Sequence, residues 1–369
     1  MTSRHATQFV IMAGGRGERL WPLVRTDNPK VCVCMDGHTS LLTATLARLA
    51  PMARPRDLLI ITTHGQADPI RSALPRRFRA SLLVEPEPKN TAACIALAAG
   101  ILARRDPESV MVVLPADHWI QQPASFRRSL KAAIDVAKRS EQLVVIGIRP
   151  TRVHPGLGHL RTGSALGRRQ GCRIFRLARC LEKPSRRVAQ RLMHQHKTYW
   201  NAGIFVGRVT TFQKWIRRWL PTHAARLFPL GEMVSRPAYA RQARAAYRGV
   251  DAISFDHGVM AHVREGYVIE GNFPWEDLGS WDSWTRLGRL AQPELSIASR
   301  NVQVLSSNGP VCPDGGRGAG RHLVATVGVE DLIIIHTPDV TLVCREANAQ
   351  AVRRAVGRLS RNARLARYA

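Results

Sequence analysis

Phe9-Val-Ile-Met-Ala-Gly-Gly-Arg-Gly-Glu-Arg-Leu-Trp-Pro-Leu23, followed closely by Pro29-Lys30, is the stretch on which the reading of this chain turns. Phe9–Ala13 is a short apolar strand. It breaks at Gly14, Gly15 and Gly17 into a turn, and the turn meets three cations, Arg16, Arg19 and Lys30. Glycine has no Cβ, so backbone N–H groups there can close on a polyphosphate. Taken by itself, the turn also fits an ordinary strand-to-loop connection in a basic protein. Two common phosphate motifs are excluded: no Gly-Lys-Ser/Thr follows, and the third glycine of a dinucleotide fingerprint falls on Leu20.

Outward from this loop, 369 residues with 45% hydrophobic content suffice for one large domain and a smaller one. No apolar run approaches the length of a membrane span, and Phe9–Ala13 is too short for a signal peptide, so a cytoplasmic protein without membrane contact is expected. The seven cysteines are scattered, odd in number and free of Cys-x-x-Cys, which fits buried thiols in a reducing compartment. The net charge of +28 attracts polyanions. Its even spread, without a dense block or interleaved aromatics, argues for a compositional arginine bias and against a specific nucleic-acid partner. Only seven of the 55 basic residues are lysine. Lys30 and Lys183 are two of them, a hint that a compact ammonium is wanted at those places.

The first half alternates apolar strands (9–13, 57–62, 81–84, 110–114, 143–148) with helical stretches (40–49, 66–73, 91–104, 125–139). This pattern predicts an α/β fold with a mainly parallel sheet covered on both faces. Ligands in such sheets bind beyond the carboxyl ends of the strands. Both the glycine loop and Pro115-Ala-Asp-His118 stand there. The segment 150–285 is mixed, with helices expected at 186–194 and near 211–220. Residues 289–300 read as a linker. Short β-like runs follow at 301–305, 323–327, 331–336 and 341–344, with a glycine-rich turn at 314–320 and a final helix over 347–359. The expected division is a catalytic unit over 1–288 and a β-rich unit, solenoid or sandwich, over 289–369.

Asp117, directly after a strand, is placed to hold a metal ion against a phosphate; a turn or helix-capping aspartate fits the position equally well. Asp277, beside Glu276 in Pro274-Trp-Glu-Asp-Leu-Gly-Ser-Trp281, reads as a loop acid. Glu182-Lys183 reads as a surface pair and Asn201 as a turn residue. The segment Glu85-Pro86…Lys89-Asn-Thr-Ala92 precedes a helix N-terminus, which suits phosphate or polar groups.

Gly14, Gly15, Gly17, Arg19, Leu20, Pro22, Leu23, Pro29 and Lys30 match position by position the opening signature of the sugar-nucleotide pyrophosphorylases, and the chain resembles that nucleotidyltransferase family. Glu85-Pro, Asn90-Thr-Ala, Pro115-Ala-Asp-His, Gly156-x-Gly158, Glu182-Lys-Pro, Trp200-Asn-Ala-Gly203 and Asp277-x-Gly-Ser-Trp281 run in the family's order. The forms around Asn90 and Trp200 and the tail Val327–Thr337 resemble its mannose-1-phosphate guanylyltransferase branch. The resemblance implies a Rossmann-like mixed sheet with a small β-helix-like C-terminal domain. It implies GTP and mannose 1-phosphate as substrates, Mg²⁺ as cofactor, and a homodimer. Arg19 and the amides of Ala13, Gly14, Gly15 and Gly17 would hold the triphosphate. Glu85, Asn90, Thr91 and Ala92 would line the base. Lys30 would stabilise the transferring phosphate, and Lys183 the sugar phosphate. Gly158, Glu182 and Asn201 would bind the sugar, and Asp117 and Asp277 the metal, with the adjacent Glu276 as the alternative to Asp277. The chain departs from the family pattern at Val31, Leu157, His159 and Ala261. These departures keep two rivals open: another base–sugar pair, such as glucose 1-phosphate with dTTP or UTP, and a non-catalytic nucleotide-sugar sensor.

Overall fold

The apolar run at 9–13 becomes the centre of a sheet in the computed structural model, which describes residues 6–34, 38–234, 236–291, 303–306 and 330–369. In chain order the first half gives β1 (Thr7–Met12), α1 (Leu41–Leu49), β2 (Leu58–Thr63), α2 (Ala67–Ala73), β3 (Leu82–Glu85), α3 (Asn90–Arg105), β4 (Val110–Pro115), β5 (His118–Ile120), α4 (Pro123–Ala137) and β6 (Leu143–Ile148). Every strand and helix expected there is present, with ends shifted by at most two residues. Ser40 belongs to the cap of α1, not its body: its Oγ accepts from the Thr43 N–H at 3.1 Å.

The second half adds a hairpin, β7 (His159–Arg169) and β8 (Cys172–Leu181), then α5 (Arg186–Met193), β9 (Thr198–Arg208), α6 (Val209–Trp219), α7 (Pro221–Leu227), α8 (Tyr239–Arg248), β10 (Gly266–Gly271), β11 (Trp275–Asp277) and α9 (Trp281–Ala291). Nine strands form one mixed sheet in the order β3-β2-β1-β4-β9-β6-β10-β8-β7. β1 pairs in parallel with β2 and β4, β2 with β3, and β6 with β10. β9 runs antiparallel between β4 and β6. Sequence order does not announce that insertion, because β9 follows β6 by some fifty residues.

Alternation along the strands explains the two layers. Val10, Ile61, Met111 and Val113 face a core shared with α3, α6 and α7. Phe9, Ile11, Leu58, Ile60, Val112 and Leu114 face one shared with α1, α2 and α4. With both faces covered, the carboxyl edge of the parallel strands is left for ligands.

The C-terminal part comprises β12 (Gln303–Ser306), β13 (Leu332–His336), β14 (Thr341–Arg345) and α10 (Val352–Leu359), the three strands pairing in that order. Two expectations change here. The helix α9 runs through Ala291, into the stretch expected as linker. The final helix is shorter, with 3₁₀ turns over Glu346–Ala351. The strand at 323–327, the turn at 314–320 and Cys312 lie outside the described residues. A third apolar cluster joins this part to the first: Leu20, Trp21, Leu23 and Val24 of the opening loop pack with Trp281, Ile333, Ile335, Ala349 and Val352. Among the described cysteines Cys34, Cys94 and Cys180 are buried, whereas Cys32, Cys172 and Cys344 are only half-buried; none of the six is in a disulfide. No described helix is long and apolar enough to cross a membrane.

Candidate active site

The glycine loop leaves β1 at the sheet's carboxyl edge. The Ala13 N–H donates to the Ile61 carbonyl at 2.7 Å and the Thr62 hydroxyl to the Ala13 carbonyl at 3.1 Å, so the loop starts from a fixed point. Gly17 has φ +63°, and a Cβ there would stand 2.8 Å from Val24 Cγ1 and 3.0 Å from Lys30 Cβ. Only glycine allows the loop to fold this tightly over Lys30. No atom comes within 4 Å of a Cβ built on Gly15, and its carbonyl accepts from Gln66 Nε2 at 3.1 Å.

Lys30 is 4% exposed, and its Nζ lies 2.6 Å from Asp117 Oδ2 and 3.6 Å from Asp277 Oδ1. The two aspartates, 160 positions apart in sequence, meet because β5 and β11 pair antiparallel with Asp277 opposite His118. Burial disfavours the Lys30 ammonium, but the two carboxylates outweigh it and hold its pKa above the ordinary value. Burial likewise opposes ionisation of Asp117, and the charges of Lys30 and His118 reverse that and hold its pKa below the ordinary value. Lys30, Asp117 and Asp277 line a cavity of about 290 Å³ with Gly15, Gly17 and Arg19. Asp117, Asp277 and Gly15 also line a second cavity of about 270 Å³, which continues past Gly14 to Glu85, Asn90 and Thr91. The two cavities therefore meet at the two aspartates.

In the second cavity Glu85 is buried and accepts the Tyr247 hydroxyl at 2.8 Å. Burial pushes its carboxyl up to about 8, and the Tyr247 bond only partly offsets this. Asn90 opens α3 with φ +65°, and its Oδ1 accepts from the Thr91 N–H. Thr91 Oγ1 accepts from the Phe255 N–H at 2.8 Å, and the Ala92 N–H donates to the Ile253 carbonyl. The helix end is thus tied to the turn that carries Asp256.

The expected sugar residues form a cluster of their own. A Cβ on Gly158 would lie 2.9 Å from Glu182 Oε2 and 3.2 Å from Asn201 Cβ, and the Asn201 N–H donates to the Gly158 carbonyl. Asn201 Nδ2 donates to Asp256 Oδ1 at 2.6 Å, while Asn201 Oδ1 accepts from the Gly203 N–H. Lys183, φ +41°, keeps its ammonium largely exposed, 2.7 Å from Glu182 Oε1. This cluster abuts the segment that carries Asp117 at Gly203, where a Cβ would stand 3.6 Å from Pro115. Neither cavity described above is lined by it. Leu157 and His159, where the family pattern has aromatics, are buried, and His159 Nδ1 lies 3.1 Å from the Leu157 carbonyl oxygen.

Asp256 escapes sequence reading. Burial pushes its carboxyl up to about 7 and nearby Glu182 pushes the same way, against the bond from Asn201. Thr45 and Arg48 also escaped sequence reading. From the apolar helix α1, Thr45 Oγ1 donates to the Ala116 carbonyl at 3.1 Å and Arg48 to the His118 carbonyl at 3.2 Å. They grip the chain on either side of Asp117. A threonine and an arginine three apart, Thr45 and Arg48, on the buried side of α1 were the available signal. Trp275 Nε1 donates to His118 Nδ1 at 3.2 Å and braces the same segment.

Residues 8–292 match the family model for Nucleotidyl transferase, and residues 317–359 match the MannoseP isomerase/GMP-like beta-helix domain. A mannose-1-phosphate guanylyltransferase of Salmonella muenchen is 30% identical over 361 residues, 96% of this chain and 74% of that protein. One of Escherichia coli (strain K12) is 29% identical over 362 residues, again 96% and 74%. The crystal structure of a mannose-1-phosphate geranyltransferase from Thermus thermophilus superposes with a TM-score of 0.78 at 30% identity, covering 96% of this chain and 99% of that one. A mannose-6-phosphate isomerase from Helicobacter pylori, at 22% identity and a TM-score of 0.58, covers 74% of this chain and 100% of its own and shares the fold. The chain belongs to the nucleotidyl transferase family, among the mannose-1-phosphate guanylyltransferases.

Proposed function

We propose that the protein transfers GMP from GTP to mannose 1-phosphate, giving GDP-mannose and pyrophosphate. The observation that carries the chemistry is the buried Lys30 ammonium, bracketed by Asp117 and Asp277 where the nucleoside and phosphate cavities meet. The substrate pair rests on the named relatives of Salmonella and Escherichia coli.

In this reading a sugar-phosphate oxygen attacks the α-phosphorus as the bond to the departing pyrophosphate breaks. No bond to the protein forms, so catalysis is positioning and charge neutralisation. Glycine-loop amides and Arg19 hold the triphosphate tail. Lys30 meets the charge that builds on the transferring phosphate, and its preset orientation between two carboxylates avoids reorganisation during the reaction. Glu182, Asn201 and Asp256 hold sugar hydroxyls, and the exposed Lys183 ammonium lies beside them for the sugar phosphate. Asp117 and Asp277 offer hard oxygen donors of the number Mg²⁺ commonly takes from protein, the remaining positions going to phosphate and water. They are the residues that would hold such an ion, which would supply Lewis-acid neutralisation of the phosphate oxygens. Catalysis belongs to residues 1–288 and the C-terminal unit to 289–369, a division that the two matched family models support. The free thiols support a reducing, cytoplasmic setting.

Product formation across four nucleoside triphosphates and two sugar phosphates tests the reading. GTP with mannose 1-phosphate is expected to give the highest kcat/KM. Faster turnover of glucose 1-phosphate with dTTP or UTP overturns the substrate pair, and absence of pyrophosphate release with every pair overturns the enzyme.

A further inference from the structure

The rim of the phosphate cavity includes a residue that comes from outside the nucleotidyltransferase sheet. Arg353, on the first turn of α10, lines the same cavity as Gly15, Arg19, Lys30, Asp117 and Asp277. Its Nε donates to Glu18 Oε2 at 2.9 Å, and Glu18 also pairs with Arg16 at 3.5 Å. The helix is held to both loops that build the cavity. On the glycine-loop side, Val352 packs with Leu20 and Trp21, the Trp21 indole donates to the Tyr368 carbonyl, and Arg25 forms a two-pronged pair with Asp339 at 2.6 and 2.8 Å. On the Asp277 side, Gln350 Nε2 donates to Ser280 Oγ at 2.7 Å. Arg353 is thus delivered by a braced element although its side chain is exposed.

We propose that Arg353 is a ligand of the departing pyrophosphate, the β- and γ-phosphates of bound GTP, so that the C-terminal segment completes the triphosphate pocket. The proposal rests on the nucleotidyltransfer reading above. The nucleoside cavity meets the phosphate cavity at Asp117 and Asp277, which places the α-phosphate at that junction and the outer phosphates toward Arg16, Arg19 and Arg353. The bond to Glu18 is made by Nε, and a guanidinium carries four further N–H donors in a planar fork suited to phosphate oxygens. Glu18 then acts as the internal carboxylate that aligns two arginines before the anion arrives.

The test is calorimetric binding to the full chain, in Mg²⁺ and without sugar phosphate, of GTP, pyrophosphate and GDP-mannose. Arg353→Gln should weaken GTP and pyrophosphate about tenfold, the scale of losing a hydrogen bond to a charged group, and leave GDP-mannose, which has no departing pyrophosphate, within about twofold. Arg361→Gln, an exposed position past the end of α10, removes the same charge and should change none of the three. Arg353→Lys should recover part of the loss. Equal weakening of GDP-mannose, equal loss in Arg361→Gln, or unchanged pyrophosphate binding in Arg353→Gln overturns the assignment. Failure of the unaltered protein to bind GTP and GDP-mannose at all overturns the nucleotidyltransfer reading beneath it, a result distinct from these.

Discussion

The Lys30 region, proposed for the phosphates, and the Asn201 region, proposed for the sugar, stand side by side on one sheet edge, yet they are built on opposite electrostatic plans. Around Lys30 the buried ammonium is bracketed by two carboxylates, and the carbonyls flanking Asp117 are gripped by Thr45 and Arg48. Around Asn201 two acids, Glu182 and Asp256, face each other, and the nearest cation, Lys183, stays largely in solvent. The first region is preset for one charged group in one geometry. The second holds a proton near neutrality and yields to its surroundings. The contrast suits the chemistry, since the phosphoryl centre needs fixed charge whereas a sugar needs acceptors that strengthen on binding.

The most severe way to break this contrast is to remove a carboxylate from the fixed region. Asp117→Asn and Asp277→Asn should each lower kcat on the order of 10³-fold, the upper scale for one preorganised electrostatic group. Because both act on one cation, the double variant should be little worse than the worse single one. Initial rates of pyrophosphate release, with circular dichroism to confirm folding, decide this; multiplicative losses show independent roles. Next comes Lys30→Arg, which keeps the charge and changes its shape. A longer planar fork in a site with 4% exposure should cost about 10²-fold in kcat. Turnover near that of the unaltered protein removes Lys30 from the chemistry and leaves it a structural ion pair.

On the sugar side the expected effects are smaller. A methyl group on Gly158 would stand 2.9 Å from Glu182 Oε2, so Gly158→Ala should displace an acceptor and raise KM for mannose 1-phosphate about tenfold with KM for GTP unchanged. A GTP effect of equal size breaks the separation of the regions. The smallest effect is in pH. Asp256 titrates at about 7: below it the neutral acid predominates, and above it the carboxylate accepts sugar hydroxyls more strongly. The KM for the sugar phosphate should therefore fall about fivefold as pH rises through that range. Asp256→Asn should flatten the step. A step that persists in the variant assigns the titration elsewhere, with Glu182 and the substrate phosphate next to be tested.

Legibility in the sequence followed the same divide. The glycine loop and Asp117 could be read because each follows an apolar strand whose direction and end are set by local pattern, and Lys30 because it is a rare lysine close after that loop. The first-half strands were placed for the same reason. Asp277 and Asn201 were named only through family resemblance, since their partners come from pairing between β5 and β11 and from contacts across β9, which no local period encodes. Asp256, Thr45 and Arg48 were missed because what matters about each is a long-range hydrogen bond to another segment. The antiparallel insertion of β9 and the helices α7 and α8 escaped for a similar reason: β9 is matched to β4 and β6, α7 packs on α3, and α8 packs on α7.

The bond from the Trp21 indole to the Tyr368 carbonyl spans 347 positions, and the Arg25–Asp339 pair spans 314. Such contacts close loops nearly as long as the chain, and pairings of that separation tend to form late. During synthesis, the sheet and its nucleoside cleft have all their residues well before the segment that backs Leu20, Trp21 and Val24 leaves the ribosome. The amides of residues 18–24 should accordingly exchange with deuterium through partial openings that leave β1 and β4 protected. The rim that holds the outer phosphates is the last part of the pocket to be assembled and the first to come undone.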